Sequence, residues 1–302
     1  MPVPSVSIVV VAYNMPREVP RTILSLSTAM QVGAARDDYE VILVDNGSTQ
    51  KFDVERCRAM DLDLRVEQLP PGNPSPCRAI NHGLALARGD LCGVMIDGAR
   101  LASPGLVSGS LRARCLHHRP VISTLGFHLG PDVQMKSVPL GYDQQEEDRL
   151  LDRVDWTRDG YRLFDISTFA GSSSGGWFAP MSESNALFLT KVLWEEIGGY
   201  DERFQMPGGG LVNLDTYVRV CSLPDSQLIT LLGEGTFHQV HGGIATNAAL
   251  PVRPWNAFHD EYLRIRGRPF VKPDLVPLFL GYVNSHVLPS IAISVGIQRL
   301  LR

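Results

Sequence analysis

The chain has 302 residues, 44% of them hydrophobic and 20% charged. This is an ordinary globular composition, with enough length to bury a large core as one enlarged domain or as a domain with an extension. The formal net charge of −4 argues against a general nucleic-acid binder, which would carry a basic surface.

No stretch reaches the roughly 18 uninterrupted apolar residues of a membrane span. The apolar run Val6–Ala12 is too short for a cleavable leader and has no basic flank before it. Cys57, Cys77, Cys92, Cys115 and Cys221 are odd in number and lack C-x-x-C spacing. That suits reduced thiols in a cytoplasmic setting better than a disulfide framework.

In chain order, VSIVVVAYN (6–14) is nearly continuously apolar and rich in β-branched residues, the pattern of a strand covered on both faces. A helix is predicted over Val19–Met30, and YEVILVDNGST (39–49) repeats the strand pattern before stopping in turn-forming residues. Strand, helix and strand make a right-handed parallel unit. In the second unit Ser75 can cap a helix with Pro76 at its first position, and Gly89 can end it left-handed. Strand 91–96 follows at once. Asp45 and Asp97 are therefore both expected at carboxyl ends of parallel strands, where open α/β sheets place their ligand crevice.

Beyond residue 105 the pattern loosens. The acidic stretch 141–165 reads as solvated surface or a mobile flap, and GSSSGGWFAP (171–180) as a glycine-rich loop open to close approach by a ligand. Thr190 can cap a helix running to Ile197 and ended by Gly198–Gly199. Residues 246–302 form a proline-containing extension, helical in pieces. Its end, VLPSIAISVGIQRLLR (287–302), is apolar enough to pack on the body, join a homodimer or touch a membrane surface.

Each residue type that could do chemistry here has a bland alternative. Asp45-Asn-Gly-Ser is strong turn chemistry, and Asp97 before Gly98 can simply end a strand. In FHQVHGG (237–243), His238 and His241 are three apart, so on a strand they point to opposite faces. They can share an ion only if the chain turns between them. Oxygen and imidazole ligands together suit Mn²⁺ or another first-row ion, without excluding Mg²⁺. Glu183 can project into the crevice. Asp215 lies in the first turn of a helix for which Asn213 is a candidate cap, a place where an acid is stabilised without any catalysis.

Taken together these stretches resemble a family 2 glycosyltransferase with the GT-A fold, over roughly residues 5–245. VSIVVVAYN resembles the family's opening strand, and VILVDNGST its second, with the Asp that contacts the nucleobase. CRAINHGLALARGDLCGVMIDGA (77–99) resembles the helix and glycine turn leading into the metal-site strand, and IGGYDERF (197–204) the segment after the acceptor-side helix. The resemblance implies a GT-A, Rossmann-like, mostly parallel sheet flanked by helices in residues 1–245. It implies Ala12, Tyr13, Asn14 and Asp45 at the nucleotide, and Asp97 as the first acid of an Asp-x-Asp signature. The second acid is Ala99, and His241 or His238 can supply the missing metal ligand. The family's Glu-Asp pair falls at Val212–Asn213, so Asp215 or Glu183 must serve as base, or the enzyme retains configuration, or the protein is inactive. Trp177 can stack on a sugar face or belong to the core.

The implied reaction moves a sugar from a nucleoside-diphosphate sugar to a hydroxyl acceptor, assisted by a metal ion. Two rival enzyme classes lack their signatures. AYNMPR (12–17) stands where a dinucleotide-binding G-x-G-x-x-G would be, and no early basic glycine loop suits a nucleotidyltransferase. A degenerate, non-catalytic binding module remains open, favoured by Ala99 and Val212–Asn213.

Overall fold

The structure is a computed structural model that describes residues 3–72, 74–243 and 254–300. The first half alternates strand and helix, adding α2 and β3 to the elements read from the sequence: β1 (Val6–Ala12), α1 (Glu18–Ser25), β2 (Tyr39–Asp45), α2 (Val54–Arg58), β3 (Leu64–Gln68), α3 (Cys77–Leu86) and β4 (Leu91–Met95). Every residue of β1, β2 and β4 is buried, which is why their sequences carry no polar alternation. There follow β5 (Arg100–Ala102), α4 (Leu106–Arg114), β6 (Pro120–Leu129), α5 (Gln134–Ser137), α6 (Gln144–Val154) and β7 (Ser167–Phe169). Then come β8 (Ala186–Thr190), α7 (Lys191–Ile197), α8 (Val212–Cys221) and β9 (Gln227–His238). The chain closes with α9 (Trp255–Arg266), β10 (Leu278–Gly281) and α10 (Leu288–Leu300).

Among the described residues, ten strands form one sheet of order β10-β9-β6-β8-β4-β1-β2-β3, with β5 on β9 and β7 on β6. The side built from the first four strands is parallel. β8 enters antiparallel between β4 and β6, and β9 returns parallel to β6. The sheet is thus mixed, with its parallel half where the two strand–helix–strand units lie. Large apolar clusters fill both of its faces.

Several boundaries differ from the sequence reading. α1 stops at Ser25 because hydroxyls compete for its last carbonyls: Ser25 Oγ donates to Thr22 O and Ser27 Oγ to Leu24 O, each at 2.7 Å. Pro76, not Ser75, is the cap of α3, so the helix begins at Cys77, one position later than expected. Gly89 is not left-handed. A Cβ there would lie 2.8 Å from Ser7 N, so this glycine allows the chain to cross the start of β1. Thr190 and Gly198 bracket α7 as expected. The acidic stretch is not a flap: Asp143 caps α6, and Glu147 is fully buried.

The proposed boundary at 245–246 lies outside the described residues. Residues 254–300 pack on the body. β10 adds to β9 at the sheet edge, α9 buries Phe258 and Tyr262, and α10 sets Ser294 against the 171–180 loop. No helix among the described residues is long and apolar enough to cross a membrane.

Gly83 shows how closely α3 is seated. A Cβ there would lie 2.4 Å from Val9 Cγ1 and 3.3 Å from Val44 Cγ2, both on fully buried strands. Alanine normally favours a helix over glycine by about 1 kcal/mol. Here overpacking should reverse the sign, and Gly83→Ala should destabilise by about 1–3 kcal/mol in urea unfolding. A stabilised variant would contradict this packing.

Candidate functional site

The parallel strands end together. Ala12 pairs with Asp45 and Val10 with Met95, so Asp45 and the Asp97 turn share one edge of the sheet. Gly98 N–H donates to Val11 O at 2.7 Å, which fastens that turn across the top of β1.

On the β2 side the expected nucleotide residues divide by role. The buried Asp45 carboxylate accepts from Ser48 N at 2.8 Å and from Lys51 Nζ at 2.9 Å. Burial alone would raise its pKa, but hydrogen bonds from Lys51 and Ser48 hold it below the ordinary range. Asn14, at φ 53°, accepts on Oδ1 from the Thr49 and Gln50 N–H groups at 2.8 and 3.0 Å. Asp45 and Asn14 therefore shape the loop. Ala12 is buried, and Tyr13 is the one of the four with an exposed side chain.

The second half of the site comes from the end of β9. Arg100 pairs antiparallel with His238, bringing the Asp97 turn against the two histidines. Beyond His238 the chain turns. Gln239 N–H donates to Ala99 O at 2.8 Å and Val240 N–H to Glu147 Oε2 at 2.9 Å. Burial pushes Glu147 up to about 7 against the pull of Arg17, whose guanidinium pairs with it. Through that turn His238 and His241 meet, Nε2 to Nε2 at 3.2 Å. Asp97 Oδ2 lies 3.0 Å from His238 Nε2 and 3.4 Å from His241 Nε2. The three ligand atoms fall within 4.8 Å of one another.

Gln134 sets the chemistry of His238. Its Nε2 donates to the His238 carbonyl at 2.9 Å, which leaves Oε1 to accept from His238 Nδ1–H at 2.7 Å. The His238 Nε2 lone pair then faces Asp97, the tautomer a metal ligand needs. Burial pushes His238 down to about 4 despite the opposing Asp97 carboxylate, so its ring is neutral near pH 7. Burial would also depress His241, but Asp97 outweighs it and raises that ring. Burial would raise Asp97, yet His241 and His238 hold it well below the ordinary carboxylate range. One carboxylate and two imidazoles converging on a common point fit a first-row divalent ion, with coordination positions left for ligand oxygens.

Of the two candidate bases, Asp215 is withdrawn by the structure. Both its oxygens are held: Arg266 binds Oδ1 and Oδ2 at 2.6 Å each, and Arg219 binds Oδ2 at 2.8 Å. Asn213 is not the cap of α8, which begins after Leu211. It lies inside the first turn instead. Asn213 Nδ2 donates to Glu183 Oε2 at 2.7 Å, and its Oδ1 accepts from Tyr200 OH at 2.9 Å. The side chain at the expected base position thus holds Glu183, which is half-buried on the loop before β8.

Trp177 is core, 1% exposed, so it has no face for a sugar. The close approach that its glycine loop permits is made by α10. Gly176 has φ +70°, and a Cβ there would lie 2.3 Å from Ser294 Oγ. Sequence reasoning missed three residues: Arg100, Gln134 and Arg266. Only Arg100 stood near a singled-out motif, three places after Asp97.

The family model described as glycosyl transferase family 2 matches residues 7–98, the span of β1 to β4 and the Asp97 turn. No curated protein matches the sequence. Among solved structures, S. aureus TarS aligns over 78% of this chain and 36% of its own, with TM-score 0.52 and 16% identity. S. aureus TarS 1-349 aligns over 85% of this chain and 65% of its own, also at TM-score 0.52 and 16% identity. The same fragment in complex with UDP-GlcNAc aligns over 85% and 66%, with TM-score 0.51 and 16% identity. At such identity the likeness shows the fold.

Removing one partner from the Asp215 cluster should cost stability before it costs chemistry. Asp215→Asn leaves two partly buried guanidinium groups short of their counter-charge, a loss of about 3 kcal/mol. Urea unfolding measures that loss, and calorimetry with UDP should show nucleotide affinity unchanged. A variant of full stability that lost turnover would return Asp215 to the list of bases.

Proposed function

We propose that this chain, whose residues 7–98 match the glycosyl transferase family 2 model, transfers a glycosyl group from a nucleoside-diphosphate sugar to a hydroxyl acceptor. The observation that carries this reading is the convergence of Asp97 Oδ2, His238 Nε2 and His241 Nε2 at the carboxyl edge of the parallel strands. The complex of TarS 1-349 with UDP-GlcNAc supports a nucleotide-sugar donor on this fold.

Asp97, His238 and His241 would hold a divalent ion, Mn²⁺ or Mg²⁺. Bound there, the ion would neutralise charge on the departing nucleoside diphosphate. The loop shaped by Asp45 and Asn14 receives the nucleoside, with Tyr13 exposed beside it. Glu183 takes the proton of the acceptor hydroxyl as that oxygen attacks the anomeric carbon, which inverts configuration. Asn213 fixes the Glu183 carboxylate from the helix position where a base was expected. An asparagine at that position also suits a non-catalytic module, and turnover separates the two readings.

Hydrolysis or transfer from UDP- and GDP-sugars should depend on Mn²⁺ or Mg²⁺ and stop in EDTA. Asp97→Ala and His241→Ala should each abolish metal-dependent turnover. The double variant should be no worse than either single, because both remove one shared site. If His241→Ala binds Mn²⁺ as tightly as the parent in the presence of nucleotide, the shared site is wrong.

Glu183→Gln should lower turnover by about 10²–10⁴-fold with donor affinity retained. A Gln variant of parental rate would remove Glu183 from the reaction.

A further inference from the structure

We propose that Arg100 is a built-in diphosphate-binding cation of this site, placed so that the nucleotide binds without the metal and then recruits it. The inference rests on the donor site proposed above.

Arg100 is the first residue of β5 and the direct antiparallel partner of His238. Directly opposed residues in a sheet share a face, so both side chains leave β5 and β9 on the same side. The side chain is 5% exposed, and its Nε and Nη1 are buried with no hydrogen-bond partner among the described residues. Buried N–H groups of a guanidinium are costly to leave unmade, and such groups in native structures ordinarily have partners. Arg17, Arg21 and Arg119 also keep one buried nitrogen without a partner, yet each pairs through another nitrogen with a carboxylate, as Arg88 does with Glu40 and Arg219 and Arg266 do with Asp215. Arg100 has no such carboxylate among the described residues.

The surroundings say what is missing. Asp97 and Glu183 are the acids whose charge reaches Arg100, and His238 and His241 both feel its positive field. Arg100 therefore stands among all the groups assigned to metal and base, without being paired to either carboxylate. A ligand that satisfies buried guanidinium N–H donors here must bring oxygen acceptors, and anionic phosphate oxygens are the acceptors a guanidinium binds best.

Charge accounts for the order of binding. The site holds one carboxylate ligand, Asp97, two imidazoles and one fixed cation beside them. With Ala99 in place of a second acid, Arg100 offsets the single carboxylate and weakens the pull on a free divalent ion. A diphosphate brings the negative charge that restores it. Binding of nucleotide and metal should then be positively coupled, and by linkage the coupling is the same in both directions.

The test is calorimetry with UDP and GDP in EDTA, using uridine and guanosine as phosphate-free controls. The parent should bind at least one diphosphate without metal. Arg100→Gln should bind it at least 10-fold more weakly, with affinity for the free nucleoside unchanged, and Arg100→Lys should keep part of the loss. In the parent, Mn²⁺ alone should bind at least 10-fold more weakly than Mn²⁺ with the diphosphate, and Arg100→Gln should narrow that gap. Thermal melts confirm that each variant is folded, and the lysine variant serves if the glutamine one is not. Equal diphosphate affinity in parent and variants overturns the role of Arg100 while leaving the donor site standing. A parent that binds neither diphosphate, with or without Mn²⁺, overturns the donor site and Arg100 with it.

Discussion

Everything at the candidate site depends on three residues of antiparallel pairing between β5 and the end of β9. Arg100 faces His238, Leu101 faces Phe237 and Ala102 faces Thr236. This short ladder joins two parts of the chain separated by well over a hundred positions. It turns the loop after β4 toward β9, so that Asp97 meets two imidazoles. Without it, Asp97 would only end a strand, and the histidines would belong to another part of the sheet.

The ladder is braced on both sides. Gly98 is tied to β1 and Ala99 O to Gln239 N. Glu147 reaches from α6 to grip Val240 between the histidines, with Arg17 behind it. Gln134 holds the far nitrogen of His238. The opposite wall has its own brace. Arg266 of α9 and Arg219 clamp Asp215 in α8, and Arg266 also lies over the Phe204 ring at 5.6 Å. The same helix presents Asn213 to Glu183. The C-terminal segment thus supports Asn213 and Glu183 through α8, although no residue of it is assigned to the chemistry.

Much of this was legible in the sequence. β-branched runs, turn residues and cap signals are local, and they located β1, β2, β4, α7 and the shared edge of Asp45 and Asp97. What failed was decided elsewhere in the chain. The acidic stretch looked solvated because nothing local shows that Glu147 meets Arg17 across 130 positions. The glycine loop looked open because its neighbour, α10, lies over a hundred residues away. Asp215 looked available because Arg266 is 51 positions downstream. For the histidines, spacing stated the condition, a turn between them, but backbone partners from Ala99 and Glu147 met it.

The central claim is that Asp97, His238 and His241 form one divalent-cation site that faces the diphosphate of a nucleotide. Crystals grown with UDP or GDP and Mn²⁺, with data collected near the manganese absorption edge, test it directly. The account predicts one anomalous peak bonded to Asp97 Oδ2 and both histidine Nε2 atoms, with phosphate oxygens completing its coordination. Nucleotide bound in the crevice with manganese elsewhere, or with none at these three residues, would contradict it.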